Sequence, residues 1–378
     1  ISRMKRTTAT TTDLKLLNRN KVYRYIYENG KVAKQDLVLA LGLSLPTISQ
    51  NLTELFDLGL LRYAGKFESS GGRKPKKISI IADARMVIGV EIKMDHINIL
   101  AIDLKGNTRA SERLDHDFEA SDRYGKFLAA EIENYIQTKA INPEIVLGVG
   151  ISIPGVLSED KKNIINAPTL KAKQVPIDAL TKYISYETFI ENDANAGGFA
   201  ELHSRKDLES LAFLSVSEGV GGAFAYNGVL YGGMNNRGAE FGHMTVVNGG
   251  KQCSCGEFGC LEAYISTSVL ACGKDRREDA FFEKLKKGDA SCKAIWEEYL
   301  TFLCMGINNI RTIFDCDVIL GGTLASYIGD YFDDIKLRLG RITVFDNNAD
   351  YLHLSNYTSN ASAIGTALHF VDEFIKTI

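Results

Sequence analysis

Apolar residues recur at helical spacing in the first part of the chain and predict three helices. The first ends at Asn29-Gly30, a pair typical of a helix C-terminus. A second is predicted over Lys34–Leu41, and a third begins after Ser44, which can cap it, with Pro46 in its first turn. Two short helices joined by a glycine-containing turn are the sequence form of a helix-turn-helix.

Two short runs, 59–63 and 76–80, follow the third helix and predict the strands of a winged hairpin. We therefore expect residues 1–80 to form a winged helix-turn-helix domain. Residues 1–77 contain 15 Lys and Arg against 6 Asp and Glu, whereas the rest of the chain contains 29 against 41. A basic head on an acidic body favours a module that binds a polyanion.

Polar residues of this head are the candidates for contact with double-stranded DNA. We expect Thr47, Gln50 and Asn51 to project away from the apolar face of the third helix, where they can reach base edges in a major groove. Arg73 and Lys74 lie between the two strands, in a segment able to place an arginine in a narrow minor groove. An ordinary basic linker is the alternative for that segment.

Strand and helix patterns alternate after residue 84 and predict an α/β body. The first half has strands predicted over 86–91 and 98–103, a third strand after residue 107, a helix over 122–139 and a buried strand over 145–153. The pattern recurs after residue 210, with strands over 212–217, 222–226 and 318–320. Two such halves predict a duplicated, actin-like and sugar-kinase-like (RNase H-like) pair of α/β lobes with a cleft between them.

The composition excludes several other classes of protein. Of the 378 residues, 45% are hydrophobic, and no apolar run approaches the length of a membrane span, so the chain is predicted to be neither disordered nor membrane-spanning. No apolar stretch follows the first basic residues, so we expect no secretory signal. Seven cysteines, three clustered and four scattered, suit a reducing cytoplasm better than a disulfide scaffold.

Residues 240–262 bring together the ligands of a candidate metal site. His243, Cys253, Cys255 and Cys260 form the ligand set of a closed tetrahedral Zn²⁺ site, with glycines between them that permit tight turns. Because no position is left for water, we expect the zinc to be structural. Three reduced thiols beside an unrelated histidine are the alternative. The second imidazole nitrogen of His243 would be free to bind an acceptor such as a ligand hydroxyl.

Several motifs together resemble one family, the ROK proteins, named for repressors, open reading frames and kinases. The motifs are Ile153-Pro154-Gly155, Glu191-Asn192-Asp193-Ala194-Asn195, Gly219-Val220-Gly221-Gly222, Glu240-Phe241-Gly242-His243, the cysteine cluster with Glu262, and Gly321-Gly322. The resemblance implies a first lobe over 81–195, completed by a C-terminal helix at about 362–378, and a second lobe with the zinc knuckle over 196–361. The head is similar to that of the sugar-responsive repressor branch.

The resemblance also implies a sugar site. Its residues would be Gly155, Asn192, Asp193, Glu240, His243 and Glu262. The chemistry agrees, because carboxylates and an amide in a cleft can bind vicinal hydroxyls, which donate and accept hydrogen bonds. The alternative is that these acids cap helices or face solvent.

Kinases of this family use the residue at Asp193 as a general base and a glycine-rich turn after the first strand to hold phosphate. Here that turn reads Glu91-Ile92-Lys93-Met94-Asp95, without the glycines or the threonine. Ser217-Glu218 replaces Gly-Thr in the second phosphate loop and adds a carboxylate. We therefore expect no useful ATP binding and no enzyme activity.

These observations predict a transcriptional repressor that binds a sugar or sugar derivative in the cleft. We expect a dimer or tetramer on a two-fold operator, with the knuckle transmitting cleft closure if it contacts the head or a neighbouring subunit. A sugar kinase that retained a DNA-binding head is the competing hypothesis, and activation in place of repression is a third. The sugar, its phosphorylation and the direction of its effect are left open.

Overall fold

The computed structural model describes residues 11–66, 76–270, 277–343, 347–357 and 359–378. The chain begins with a small head of three helices and an antiparallel hairpin, in which Leu61 pairs with Ile80. Its elements are α1 Thr11–Asn29, α2 Lys34–Leu41, α3 Leu45–Asp57, β1 Leu61–Lys66 and β2 Lys76–Ile80.

Local chemistry sets the ends of these elements. Gly42 follows α2 with a φ of 63°, a left-handed conformation that costs glycine little. Ser44 caps α3, since its hydroxyl accepts the N–H of Thr47 at 3.3 Å. Gly59, with a φ of 68°, continues the turn after α3, so β1 begins two residues later than predicted.

The first lobe contains a five-stranded sheet and a smaller three-stranded sheet. The elements of the larger sheet and its helix are β3 Met86–Ile92, β4 His96–Asp103, β5 Thr108–Asp115, α4 Asp122–Thr138, β6 Val146–Ile153 and β10 Thr188–Asn192. Between β6 and β10 lie β7 Val156–Leu157, β8 Asn163–Ala167, β9 Ala172–Pro176 and the short helix α5 Asp178–Thr181. The large sheet has the order β10-β6-β3-β4-β5.

The second lobe follows the connecting helix α6 Asp193–Ser204. Its strands are β11 Leu211–Val216, β12 Val220–Tyr226, β13 Val229–Leu230, β14 Asp317–Gly321 and β15 Leu352–Leu354. Its helices are α7 Glu262–Ile265, α8 Glu278–Lys286, α9 Ala290–Phe314 and α10 Phe332–Ile342, and the chain ends in α11 Ala361–Thr377. The sheet has the order β13-β12-β11-β14-β15.

The two large sheets have the same topology. In each, the first three strands form an antiparallel meander, the fourth pairs in parallel with the first, and the fifth pairs in parallel with the fourth. The predicted duplication of the body is thus present in the strand order.

Two helices, α6 and α11, pack on the large sheets at the junction of the lobes. Helix α6 packs on the second sheet, where a Cβ built on Gly198 would lie 2.5 Å from the Cβ of Ala223 in β12. Helix α11 packs on the first sheet, where a Cβ on Gly150 of β6 would lie 2.4 Å from the backbone of Thr366. The last helix of the chain therefore packs on the large sheet of the first lobe.

The head packs on the end of α11. The rings of Tyr23 and Phe374 meet edge to face with centroids 6.1 Å apart, and the amide of Asn20 donates to the carbonyl of Ile375. Buried apolar residues form one continuous cluster from the head through α11 to β3 and β4. The head and the first lobe thus share a core.

Candidate metal centre and ligand cleft

The four predicted metal ligands converge in space. All four ligand atoms lie within 4.8 Å of one another, with Cys255 Sγ 3.9 Å from Cys260 Sγ and His243 Nδ1 3.7 Å from Cys253 Sγ. A tetrahedral Zn²⁺ with Zn–S bonds of about 2.3 Å requires sulfur atoms about 3.8 Å apart. The cluster is therefore compatible with a four-coordinate metal ion.

Two glycines and burial shape this knuckle. Gly256 has a φ of 98° and closes a turn by donating to the carbonyl of Cys253 at 3.0 Å, while a Cβ on Gly259 would lie 1.7 Å from the carbonyl oxygen of Val247. Burial raises the pKa of the Cys253 thiol to about 12. Ionisation of that thiol at neutral pH therefore depends on a coordinated cation.

Glu262 joins the knuckle to the cleft. One carboxylate oxygen accepts the hydroxyl of Ser254 at 2.5 Å, and the other accepts the N–H of Val220, at the start of β12, at 2.9 Å. Ser254 stands between two of the predicted metal ligands, Cys253 and Cys255. The cysteine-containing segment thus helps to set the position of a predicted sugar-binding carboxylate.

Glu240 lies near the other predicted ligand-binding acids. Burial raises the pKa of its carboxyl; the nearby Asp193 and Glu262 raise it further, and His243 opposes them. The Glu240 carboxylate makes no hydrogen bond to any part of the chain that the structure describes. A half-buried carboxylate without a donor is costly, so this group is suited to a ligand hydroxyl.

Asn192 has a local structural role that the sequence did not reveal. Its side-chain oxygen accepts the N–H groups of Ala194 and Asn195 at 2.9 and 3.0 Å and so caps α6, while its amide donates to the carbonyl of Gly155 at 2.9 Å. Gly155 has a φ of 124°, and a Cβ there would lie 2.5 Å from the carbonyl oxygen of Asn166. Both residues therefore shape the cleft.

One cavity of about 280 Å³ brings together three of the predicted ligand-binding residues, Gly155, Asn192 and Glu240. Lys161 and Glu191 also line it and form an ion pair at 2.6 Å. Glu191 belongs to a motif already noted in the sequence, whereas no sequence signal marked Lys161, because its place depends on the fold of the small sheet.

A second cavity, of about 330 Å³, lies on the other side of the start of α6. Asp193 lines it together with Lys93, whose Nζ lies 3.6 Å from the Asp193 carboxylate and 3.2 Å from that of Glu91. Burial opposes the charge on Lys93, but the two carboxylates outweigh it and raise its pKa. Lys93 therefore offsets part of the negative charge in this part of the cleft.

The loop around residue 217 was expected to place a carboxylate where kinases of the family bind phosphate. The hydroxyl of Ser217 lines the second cavity and accepts the N–H of Thr323 at 3.0 Å. Glu218 is exposed and is not among the residues that line the cavity. The expectation that its carboxylate would stand near a polyphosphate is therefore not supported by the geometry.

Two of the three residues of α3 that were predicted to contact DNA bases are at least partly exposed. Gln50 is exposed and Thr47 is half-buried. The expectation for Asn51 was wrong: its side chain is 3% exposed and donates to the carbonyl of Thr47 at 2.7 Å. Asn51 stands three residues after Ile48 and four before Leu55, so it shares their buried face.

Two other candidates in the head, Arg73 and Lys74, lie outside the described residues. Their contact with DNA stays a prediction. In the described ranges of the chain, no helix is long and apolar enough to span a membrane.

The strand order, the cleft and the head define a class of protein: a duplicated α/β body of the sugar-kinase type, preceded by a winged helix-turn-helix. The ROK family model matches residues 87–373, and the chain belongs to the ROK family. This confirms the family and the fold that the sequence motifs predicted.

Two transcription regulators and one kinase are similar to this chain. The xylose repressor of Bacillus subtilis (strain 168) is 25% identical over 380 residues, covering 98% of this chain and 99% of the relative. The crystal structure of a ROK family transcriptional regulator, a homolog of the E. coli MLC protein, has a TM-score of 0.75 at 21% identity and covers 96% of this chain and 97% of its own.

A ROK family glucokinase from Streptomyces griseus, solved with glucose and AMPPNP, has a TM-score of 0.64 at 20% identity. It covers 75% of this chain and 98% of its own. The kinase therefore shares the fold of the body, while the regulator also shares the fold of the head.

Proposed function

We propose that this ROK protein is a sugar-responsive DNA-binding transcriptional regulator, acting as a repressor, with its effector in the cleft. The observation that carries the proposal is the contrast within the cleft. One cavity is lined by Glu240 and Asn192, whereas in the neighbouring cavity Lys93 pairs with Glu91 and Asp193. A DNA-binding type of head precedes this body.

The effector site would be the cavity near Glu240. We propose that Glu240, His243 and Glu262 bind the hydroxyls of a sugar, while Gly155 and Asn192 hold the backbone that shapes the site. Asp193, the remaining residue of the predicted set, lines the second cavity and pairs with Lys93. A site that hydrogen-bonds vicinal hydroxyls rejects analogues that lack one. The name of the Bacillus subtilis relative makes D-xylose the first sugar to test.

The metal would be Zn²⁺ in a structural role. Three thiolates and an imidazole complete a tetrahedral shell, so no coordination position remains for a substrate water. The metal would hold the segment from His243 to Glu262 in place, and with it two of the groups that bind sugar hydroxyls.

We propose that the chain does not transfer phosphate. The turn after β3 consists of residues 93–95, none of which has a positive φ, so it lacks the glycine conformations that let a backbone wrap around phosphates. Lys93 also pairs with Asp193, the residue that serves as general base in the kinases of the family. The competing hypothesis of a kinase with a DNA-binding head requires both features to rearrange.

The DNA-binding surface would be the exposed side of α3 around Thr47 and Gln50, together with Arg73 and Lys74. We propose a homodimer or tetramer, since winged heads that read two half-sites are related by a two-fold axis.

Gel-shift titrations test this function. A duplex is first selected from a random-sequence pool by the protein itself, and its affinity is then measured against D-xylose, D-glucose, N-acetylglucosamine and their phosphates. We expect one sugar to change operator affinity about 5- to 150-fold. Failure of the protein to select any duplex at low salt would refute the DNA-binding half, and an operator affinity unchanged by every sugar would refute the sensor half.

A further inference from the structure

Helix α6 runs between the candidate sugar site and the head. It begins at Asp193, directly after its cap Asn192, and its last turn contains His203. Twelve residues at 1.5 Å each make it about 18 Å long. One rigid element therefore has one end at the cleft and the other at the DNA-binding head.

The middle of α6 is closely packed against both α11 and β11. A Cβ built on Gly365 of α11 would lie 1.7 Å from the carbonyl oxygen of Ala196, and a Cβ on Gly197 would lie 2.8 Å from the ring of Phe213 in β11. Such close contacts leave no room for one element to shift alone. A change in the angle between the lobes must therefore move α6 with its neighbours.

The end of α6 is fixed to the second lobe by a buried carboxylate. Glu201 is fully buried; one oxygen accepts the hydroxyl of Ser355 and the N–H of Asn356 at 2.5 and 2.9 Å, and the other accepts Nε of Arg205 at 3.0 Å. A buried network with all its bonds made is rigid. Motion of the second lobe thus reaches the last turn of α6.

That last turn contacts the head. The hydroxyl of Tyr27 in α1 lies 3.3 Å from Nε2 of His203, and Nζ of Lys206 lies 5.5 Å from the centroid of the Tyr27 ring. Burial raises the pKa of Tyr27 and lowers the pKa of His203. Both partners are therefore neutral at physiological pH, and a neutral hydrogen bond joins body and head.

We propose that ligand occupancy of the cleft is transmitted to the DNA-binding head through α6, and that Tyr27 and His203 are the pair that couples them. The inference rests on the proposed function and specifies how the site is regulated. Closure around a ligand at the start of α6 tilts the helix together with the second lobe, to which Glu201 fixes it, about its close contact with α11. The contact at its far end then turns α1 and, through the head core, α3. The knuckle is not needed as the transmitter.

Tyr27→Phe tests this proposal, because it removes only the hydroxyl. The readouts are the operator affinity by fluorescence anisotropy with and without the panel sugar that acts most strongly on the wild type, D-xylose being tried first, and the thermal shift given by that sugar. We expect the sugar-free operator affinity and the thermal shift to stay within about twofold of wild type, while the 5- to 150-fold effect of sugar falls to less than about threefold.

Two further variants separate coupling from simple damage. Tyr25→Phe makes the same change two residues earlier on α1 and should keep the full sugar effect. His203→Gln retains an amide that can donate to or accept from Tyr27 and should keep most of the effect, whereas His203→Leu should lose it. A Tyr27→Phe protein with the full sugar effect, or a Tyr25→Phe protein that loses it equally, would overturn the proposal. A wild type that responds to no sugar would instead overturn the proposed function.

Discussion

The two cavities of the cleft lie on either side of the start of α6, and adjacent residues line them: Asn192 the smaller and Asp193 the larger. Near the smaller cavity, the Glu240 carboxylate is half-buried with its pKa raised by burial. In the larger cavity, Lys93 lies between the carboxylates of Glu91 and Asp193 and pairs with both. We propose that the smaller cavity binds a neutral, hydroxyl-rich ligand, whereas in the larger cavity the chain's own lysine occupies the carboxylates.

Under the proposed function, this difference is how a binding fold would lose a reaction while keeping its ligand. Sugar recognition needs fixed acceptors, which the proposed metal site would support. Phosphoryl transfer needs an open, backbone-lined space for a polyanion and its metal ions. We propose that a few residue changes in the turn after β3 remove the space for the polyanion and leave the sugar-binding residues unchanged.

The largest loss of sugar affinity should come from removing the metal ion that supports the proposed sugar-binding residues. Cys255→Ser should reduce bound zinc from one equivalent to nearly none, as measured by elemental analysis. Sugar affinity should fall about 100-fold or more, because His243 and Glu262 lose their positions together. Cys316→Ser, outside the knuckle, should keep its metal. Stoichiometric zinc in the Cys255→Ser protein would show that the cluster is not the metal site.

Glu240→Gln should lower sugar affinity by a smaller amount. The change keeps the shape but removes a charged acceptor, so we expect calorimetry to show a sugar affinity lower by about 10- to 150-fold. The exposed Glu218→Gln is the matched control and should bind sugar as the wild type does. Equal affinities for wild type and Glu240→Gln would remove Glu240 from the site.

Ser254→Ala tests the contact that joins the cysteine cluster to the cleft. The hydroxyl donates to Glu262 without binding the metal, so zinc content should be unchanged while sugar affinity falls about 2- to 10-fold. A loss of zinc in this variant would mean that Ser254 supports the metal loop itself and does not act through Glu262.

The smallest effect on sugar binding should come from the other cavity. Lys93→Met leaves Glu91 bonded to Ser362 and Asn98 at 2.7 and 2.8 Å, but removes its cation. We expect the free energy of unfolding to fall by about 1 to 3 kcal/mol in urea denaturation, with sugar affinity within twofold of wild type. The exposed Lys105→Met should change neither. A large loss of sugar affinity in Lys93→Met would mean that the two cavities act as one site.

Patterns within the sequence predicted the repeated elements of the body, because strand and helix periods are local. The burial of Asn51 was also within reach, since its spacing from Ile48 and Leu55 places all three on one face of α3. The cysteine cluster could be found because its ligands are close in the chain and their chemistry is specific.

Other features depend on contacts between distant parts of the chain. Lys93 and Asp193 are 100 positions apart, and the run 91–95 shows that glycines are missing but not that the new lysine pairs with Asp193. Tyr27 and His203 are separated by 176 positions, and their contact follows from the packing of the head on the body. Periodicity carries no information about such pairs.

We propose that the cleft binds a sugar without transferring phosphate to it, and an assay of ADP release tests both parts of this proposal together. The assay is run on zinc-containing protein with Mg²⁺–ATP and a sugar that raises its melting temperature. We predict no ADP above the sugar-free background. Turnover at an ordinary enzymatic rate, about 1 s⁻¹ or faster, would contradict the account.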